Sequence, residues 1–191
     1  MLAWELVLSL VLLVVGVGLA YFIFASFAWG AGYQPTPRRS LETMLRFAEA
    51  GPRDTVYDLG AGTGAIVFAA ARVYRARVVG VEVEPIRYAI LRLRRRFGPF
   101  ADRITLRWGN FFDLDFRNAT VVTAFLWPGA MARLRPKFES ELPPGARIVS
   151  YCHAIPGWTP ERYDRETDVY LYRVPDPRPG RSTSPAVTGE R

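Results

Sequence analysis

In the stretch "TVYDLGAGTGAIV", a short apolar run closes on Asp58, and three glycines follow at alternate positions, Gly60, Gly62 and Gly64. Glycine at this spacing lets backbone N–H groups approach a ligand closely and adopts φ values that a side chain would forbid. About 20 residues further on, "VVGVEVEP" supplies Glu82, a carboxylate suited to accept hydrogen bonds from both hydroxyls of a ribose. The pattern is that of a nucleotide-type site at the carboxyl ends of two strands. Gly60-Ala61-Gly62-Thr63-Gly64-Ala65 formally satisfies a dinucleotide loop. Such a loop seats a pyrophosphate, however, and Asp58 would face that charge. S-adenosylmethionine carries an ammonium and a sulfonium and no phosphate, so an acid is welcome there. The expected cofactor is S-adenosylmethionine.

These residues need strands and helices to position them. Apolar runs predict strands over Thr55–Leu59, Arg77–Val83, Ile104–Trp108, Ala119–Leu126 and Arg147–Tyr151, with a final antiparallel strand over Asp168–Val174. Between them the spacing predicts helices over Ala65–Tyr74, Pro85–Phe97 and Ala130–Glu141. An earlier helix, led by Ser40 and Thr43, ends at Gly51-Pro52. Strands alternating with helices imply an α/β fold, a mostly parallel sheet covered on both faces. The helix over Pro85–Phe97 carries Arg87, Arg92, Arg94, Arg95 and Arg96; such a run is most often a solvated face, with membrane contact as its functional alternative.

The N-terminus differs from the rest. "LVLSLVLLVVGVGLAYFIFASFAW" runs from Leu6 to Trp29, with no charge between Glu5 and Arg38. About 24 helical residues reach roughly 36 Å, enough to cross a bilayer core of about 30 Å. The run is longer than a signal-peptide core and has no basic residue before it, so it reads as one uncleaved transmembrane helix. Trp4, Tyr21 and Trp29 mark its interfacial ends, and Gly16 with Ala20 forms a small-xxx-small pair. Arg38, Arg39 and Arg46 follow it closely, which places the C-terminal body on the cytoplasmic side of a single-pass membrane protein. The expected organisation is an anchor over residues 1–31, a catalytic domain over 32–174, and a Pro/Ser/Gly-rich disordered tail over 175–191. The formal net charge of +7 suits anionic head groups. Nucleic-acid binding lacks the aromatic residues interleaved with basic ones that would support it. The lone Cys152 forms no internal disulfide, and no Cys/His cluster suggests a metal site.

With these residues placed, the chain resembles the class I S-adenosylmethionine-dependent methyltransferases, a Rossmann-like fold. More narrowly it is similar to the archaeal broad-specificity and mitochondrial ATP-synthase c-subunit lysine methyltransferases. The similarity runs from about Tyr33 to Val174 and rests on "PTP" at Pro35–Pro37, "VYDLGAGTGAIV", "VVGVEVEP", "ATVVTAFLWPGAMARLRPKFESELPPGARIVS" and "IPGW". The loop departs from the family in having Thr63-Gly64-Ala65 in place of Asp-Gly-Arg, and Cys152-His153 is also unusual before "IPGW". The resemblance implies transfer of a methyl group to a protein lysine amine. It implies that Pro35 and Thr36 close over the cofactor, and that Asn110 and Phe111 take the adenine amine and ring face. Thr123, Phe125, Trp127 and Pro128 would line the methyl-transfer face, with the aromatics as a channel for the lysine stem and Thr123 as an acceptor for its N–H. The protein acceptor is expected to include membrane proteins. A lipid or hydrophobic small molecule, an RNA, or simple tethered binding of the cofactor remain alternative uses of the same site.

Overall fold

The structure, a computed structural model, describes residues 2–28 and 34–175. They divide after Gln34 into two units. The first is helix α1 (Leu2–Ala28). Its window Trp4–Tyr21 has a mean hydropathy of 2.1 and is 0% buried, so it is long and apolar enough to cross a membrane. The expected interfacial Trp29 and the expected tail beyond Pro175 lie outside the described residues.

In the second unit, valine-rich runs pair in parallel because both of their faces are covered. Strands β1 (Thr55–Leu59), β2 (Arg77–Glu82), β3 (Ile104–Trp108), β4 (Val121–Ala124) and β5 (Arg147–Tyr151) are parallel. Strands β6 (Arg162–Asp164) and β7 (Val169–Arg173) form an antiparallel hairpin, and β7 runs antiparallel to β5. The order is β3-β2-β1-β4-β5-β7-β6, so it reverses between β1 and β4. One face buries Val56, Val121, Val149 and Leu171 against helices α2 (Arg38–Ala48) and α3 (Ala65–Val73) through Met44, Phe47, Ile66 and Val67. Helix α4 (Pro85–Phe97) adds Leu91 to this core. On the other face Tyr57, Phe116 and Phe138 of helix α5 (Pro128–Glu141) stack edge to face, with centroids 5.9 and 5.5 Å apart. The second unit has its own core.

Four local expectations change. Ser40 does not cap α2; the helix starts at Arg38 after Pro37, and the Ser40 hydroxyl instead donates to the Thr167 carbonyl at 3.2 Å. Strand β4 is shorter than its apolar run at both ends: its ladders span Val121–Ala124, and on the β1 side Gly60, at φ 74°, turns the chain away after the Leu59–Ala124 pair. Helix α5 begins two residues early, since Pro128 suits the first helical turn and the Trp127 carbonyl takes the N–H groups of Ala130 and Met131. The polar strand β6 was not expected at all, because its exposed residues lack alternation.

Close packing of α3 on β2 depends on Gly80, where a Cβ would stand 2.8 Å from Val67 Cγ2. Gly80→Ala is expected to destabilise the protein by about 1–3 kcal/mol through overpacking. A lowered urea midpoint would report it; an unchanged midpoint would mean that α3 shifts freely.

Candidate functional site

The carboxyl ends of β1, β2, β3 and β4 meet at the strand-order reversal, the usual crevice of an open α/β sheet. The loop after β1 holds Gly60, Gly62 and Gly64 at φ 74°, 55° and 91°. At Gly64 both conformation and space demand glycine, because a Cβ would collide with Leu91 and Phe68 side chains. Gly64 is also the N-cap of α3 and provides no side-chain cap, which leaves the first-turn N–H groups available to a carboxylate.

Glu82 holds the loop in place. One oxygen accepts from the Gly62 N–H at 2.7 Å and the other from the Glu84 N–H at 2.9 Å. Arg87 lies 3.6 Å from Glu82 and 3.3 Å from Glu84, whose carboxylate caps α4 by accepting from the Ile86 and Arg87 N–H groups. Each Glu82 oxygen thus accepts one backbone N–H and keeps a second lone pair.

Asp58 lies beneath the loop, 4% exposed. Its carboxyl is pushed up to about 7, chiefly by burial and further by the negative charge of Glu82, while the hydrogen bond from Thr123 opposes the shift. The Thr123 hydroxyl donates to Asp58 at 2.8 Å and is fully buried. Thr123 therefore sits away from the position expected of it: it is turned to Asp58 and is closed to an acceptor amine.

The remaining candidates are distributed around the same edge. Asn110 is exposed, and its Oδ1 accepts from the Phe112 N–H at 3.0 Å, which leaves one lone pair; Phe111 is buried beside Phe112. Phe125 is half-buried against Tyr151 at the end of β5, with centroids 4.5 Å apart, while Trp127 is 45% exposed and Pro128 is exposed. Pro35 is exposed and Thr36 half-buried just before α2. The Ser40–Thr167 bond places that segment at the ligand edge, since Thr167 precedes β7 where Val169 pairs with Tyr151.

Two aromatic residues escaped the sequence reading. Tyr151 ends β5, and Trp108 ends β3 with its Nε1–H on the Val83 carbonyl at 3.0 Å and its ring stacked on Tyr88. An aromatic residue closing a strand was the available signal. Burial, and secondarily Asp168, raises the Cys152 thiol, so Cys152 is a poor nucleophile. The described residues contain no group of three or more His, Cys, Asp or Glu able to hold a metal.

The raised Asp58 pKa fixes a sign. The folded state holds this proton more tightly than the unfolded chain, so the stabilisation is complete below about 4 and is lost as pH rises to about 7. Asp58→Asn removes the buried charge, so the ligand-free variant should melt well above the native protein at pH 8 and by a smaller margin at pH 5, the two converging only below about 4. Thermal unfolding at both values checks this; identical melting at pH 8 would mean that the ionised form carries no burial cost.

Comparison with known proteins agrees with the geometry. Residues 58–162 match the family model described as the ANTKMT methyltransferase domain. A protein-lysine N-methyltransferase of Saccharolobus islandicus is 40% identical over 151 residues, covering 74% of this chain and 92% of that protein. The adenine nucleotide translocase lysine N-methyltransferase of Mus musculus is 27% identical, covering 80% and 71%. Among solved structures, an RNA methyltransferase from Salinibacter ruber in complex with S-adenosyl-L-homocysteine superposes with a TM-score of 0.72 at 38% identity, covering 76% of this chain and 97% of its own. The seven-stranded order, the glycine loop with its two acids, and these matches together place the chain in the ANTKMT methyltransferase-domain family, as an S-adenosylmethionine-dependent methyltransferase of Rossmann-like fold.

Proposed function

We propose that this methyltransferase acts on protein lysine side chains at a membrane face. The observation that carries the reading is the 40% identity to a protein-lysine N-methyltransferase over 92% of that relative's length. In this organisation residues 1–31, which contain α1, form a single-pass anchor, and residues 32–174 form the catalytic body on the cytoplasmic side. Membrane-protein lysines would lie within reach. The arginines of α4 add attraction to anionic head groups.

The donor set fits the cofactor. Glu82 would hold the ribose, the first turn of α3 would hold the methionyl carboxylate, and Asp58 would face the ammonium. Asn110 and Phe111 would meet the adenine, with Pro35 and Thr36 closing above. When bound, S-adenosylmethionine supplies an electrophilic methyl on a sulfonium. The chain's own task is then to align an amine and exclude water. A lysine must first lose its proton, which costs roughly 4–5 kcal/mol at pH 7. Phe125, Tyr151 and Trp127 give the stem an apolar enclosure that disfavours the cation on desolvation grounds, while their ring faces attract it on approach. Pro128 stiffens the turn that carries Trp127.

A second reading has its own support. The Salinibacter ruber relative, 38% identical, is described as an RNA methyltransferase. Incubation with labelled cofactor and separate membrane-protein and RNA fractions, followed by acid hydrolysis, discriminates between them. Methyl-lysine is expected; label confined to RNA rejects the lysine acceptor.

Two variants test the division of roles. Glu82→Ala should weaken cofactor binding about 10- to 100-fold by calorimetry, the value of one charged hydrogen-bond network. Trp127→Ala should lower kcat/KM for the protein acceptor about tenfold, with cofactor affinity unchanged. Equal loss of cofactor affinity in both variants would refute the assignment of Trp127 to the acceptor side.

A further inference from the structure

Helix α4 buries one side chain fully, Leu91. Four large apolar residues face away from the core: Ile86, Ile90, Leu93 and Phe97 are 56%, 41%, 58% and 78% exposed. At 3.6 residues per turn they fall within an arc of about 60°. Arg94 borders this stripe on one side, and Arg96 and then Arg92 border it on the other. Two grooves flank the helix. One, of about 500 Å³, is lined by Arg92, Arg95 and Arg96 beside Leu93. The other, of about 460 Å³, is lined by Arg72 and Arg94 beside Phe68 and Phe97.

A stripe at this spacing ordinarily packs into a core. Here the core side of the helix is already occupied through Leu91, and guanidinium groups flank the outward stripe. We infer that α4 is an interfacial helix, which docks the catalytic body on an anionic lipid surface. The apolar stripe inserts among the acyl chains near the head groups, and the arginines snorkel to phosphates in the two grooves. Charge complementarity selects this occupant. An RNA would engage the arginines and stack a base on Phe97 but leave Ile86, Ile90 and Leu93 wet, whereas a bilayer surface satisfies the whole face. The inference extends the membrane reading of α1 to the body, yet it does not require α1 to insert, nor lysine to be the acceptor.

The second unit has its own core, so the test uses residues 34–191, free of α1. Its binding to vesicles of phosphatidylcholine alone is compared with binding to vesicles containing phosphatidylglycerol. Sedimentation should favour the anionic vesicles at least about tenfold, and the preference should collapse at high salt. Leu93→Ser with Phe97→Ser, and separately Arg92→Gln with Arg96→Gln, should each weaken binding about tenfold with melting temperature and methyl transfer to a soluble acceptor unchanged. If the paired serine variant does not fold, Phe97→Ser alone, at the most exposed position, should weaken binding several-fold. Absence of binding to either vesicle overturns the inference. So does full binding by the serine variants, which would reduce the effect to surface charge. A native dimer that the serine substitutions dissociate, or retention of an RNA oligonucleotide lost with them, would assign the face to another occupant and overturn it as well.

Discussion

The site depends on the carboxylate of Glu82. Its oxygens accept backbone N–H groups from both sides, Gly62 in the loop after β1 and Glu84 at the start of α4, while its carbonyl accepts from Gly109 beyond β3. Three strand ends are thereby held in register by one residue. A buried carboxylate is stable only when such donors replace water. The glycine loop supplies one of these donors because a Cβ is absent from its tightest turn. Loop and acid thus require each other, and the crevice is built before any ligand enters it.

Beneath this clasp lies a second acid under the opposite condition. Asp58 receives one hydrogen bond, from Thr123, and shares its surroundings with the charge of Glu82. Near neutrality its protonation is finely balanced. A cation brought into the crevice relieves the cost that burial imposes on the ionised form. The two carboxylates therefore divide the work: Glu82 organises backbone, and in the proposed reading Asp58 would set an electrostatic preference for positively charged ligands. That preference is the physical content of the sequence argument against a pyrophosphate.

Where punctuation was local, the sequence was legible. Gly60, Pro85 and Gly109 end or begin elements at the positions expected, and β1, α4, β3 and β5 have the expected limits. Asp58, the glycines and Glu82 converge because the loop and strand that carry them are adjacent in chain and in sheet. What failed was non-local. The partner of Ser40 is Thr167, and the partner of Thr123 is Asp58 across the ladder. Tyr151 meets Phe125 only because β4 and β5 pair in one particular register. The outward stripe on α4 was hidden for another reason: apolar residues at helical spacing look the same whether they face a core or leave it.

The reversal of strand order carries a consequence for descent. In the reading given above, most groups that hold the cofactor come from β1, β2, β3 and their loops, with Pro35 and Thr36 closing from the segment before α2. Groups that face the acceptor come from the ends of β4 and β5, beyond the reversal. Substitution on the acceptor side can proceed without disturbing the inherited cofactor half, so a lineage can exchange acceptors while keeping its chemistry. Such drift meets its limit at Thr123, whose hydrogen bond to Asp58 is a seam shared by both halves.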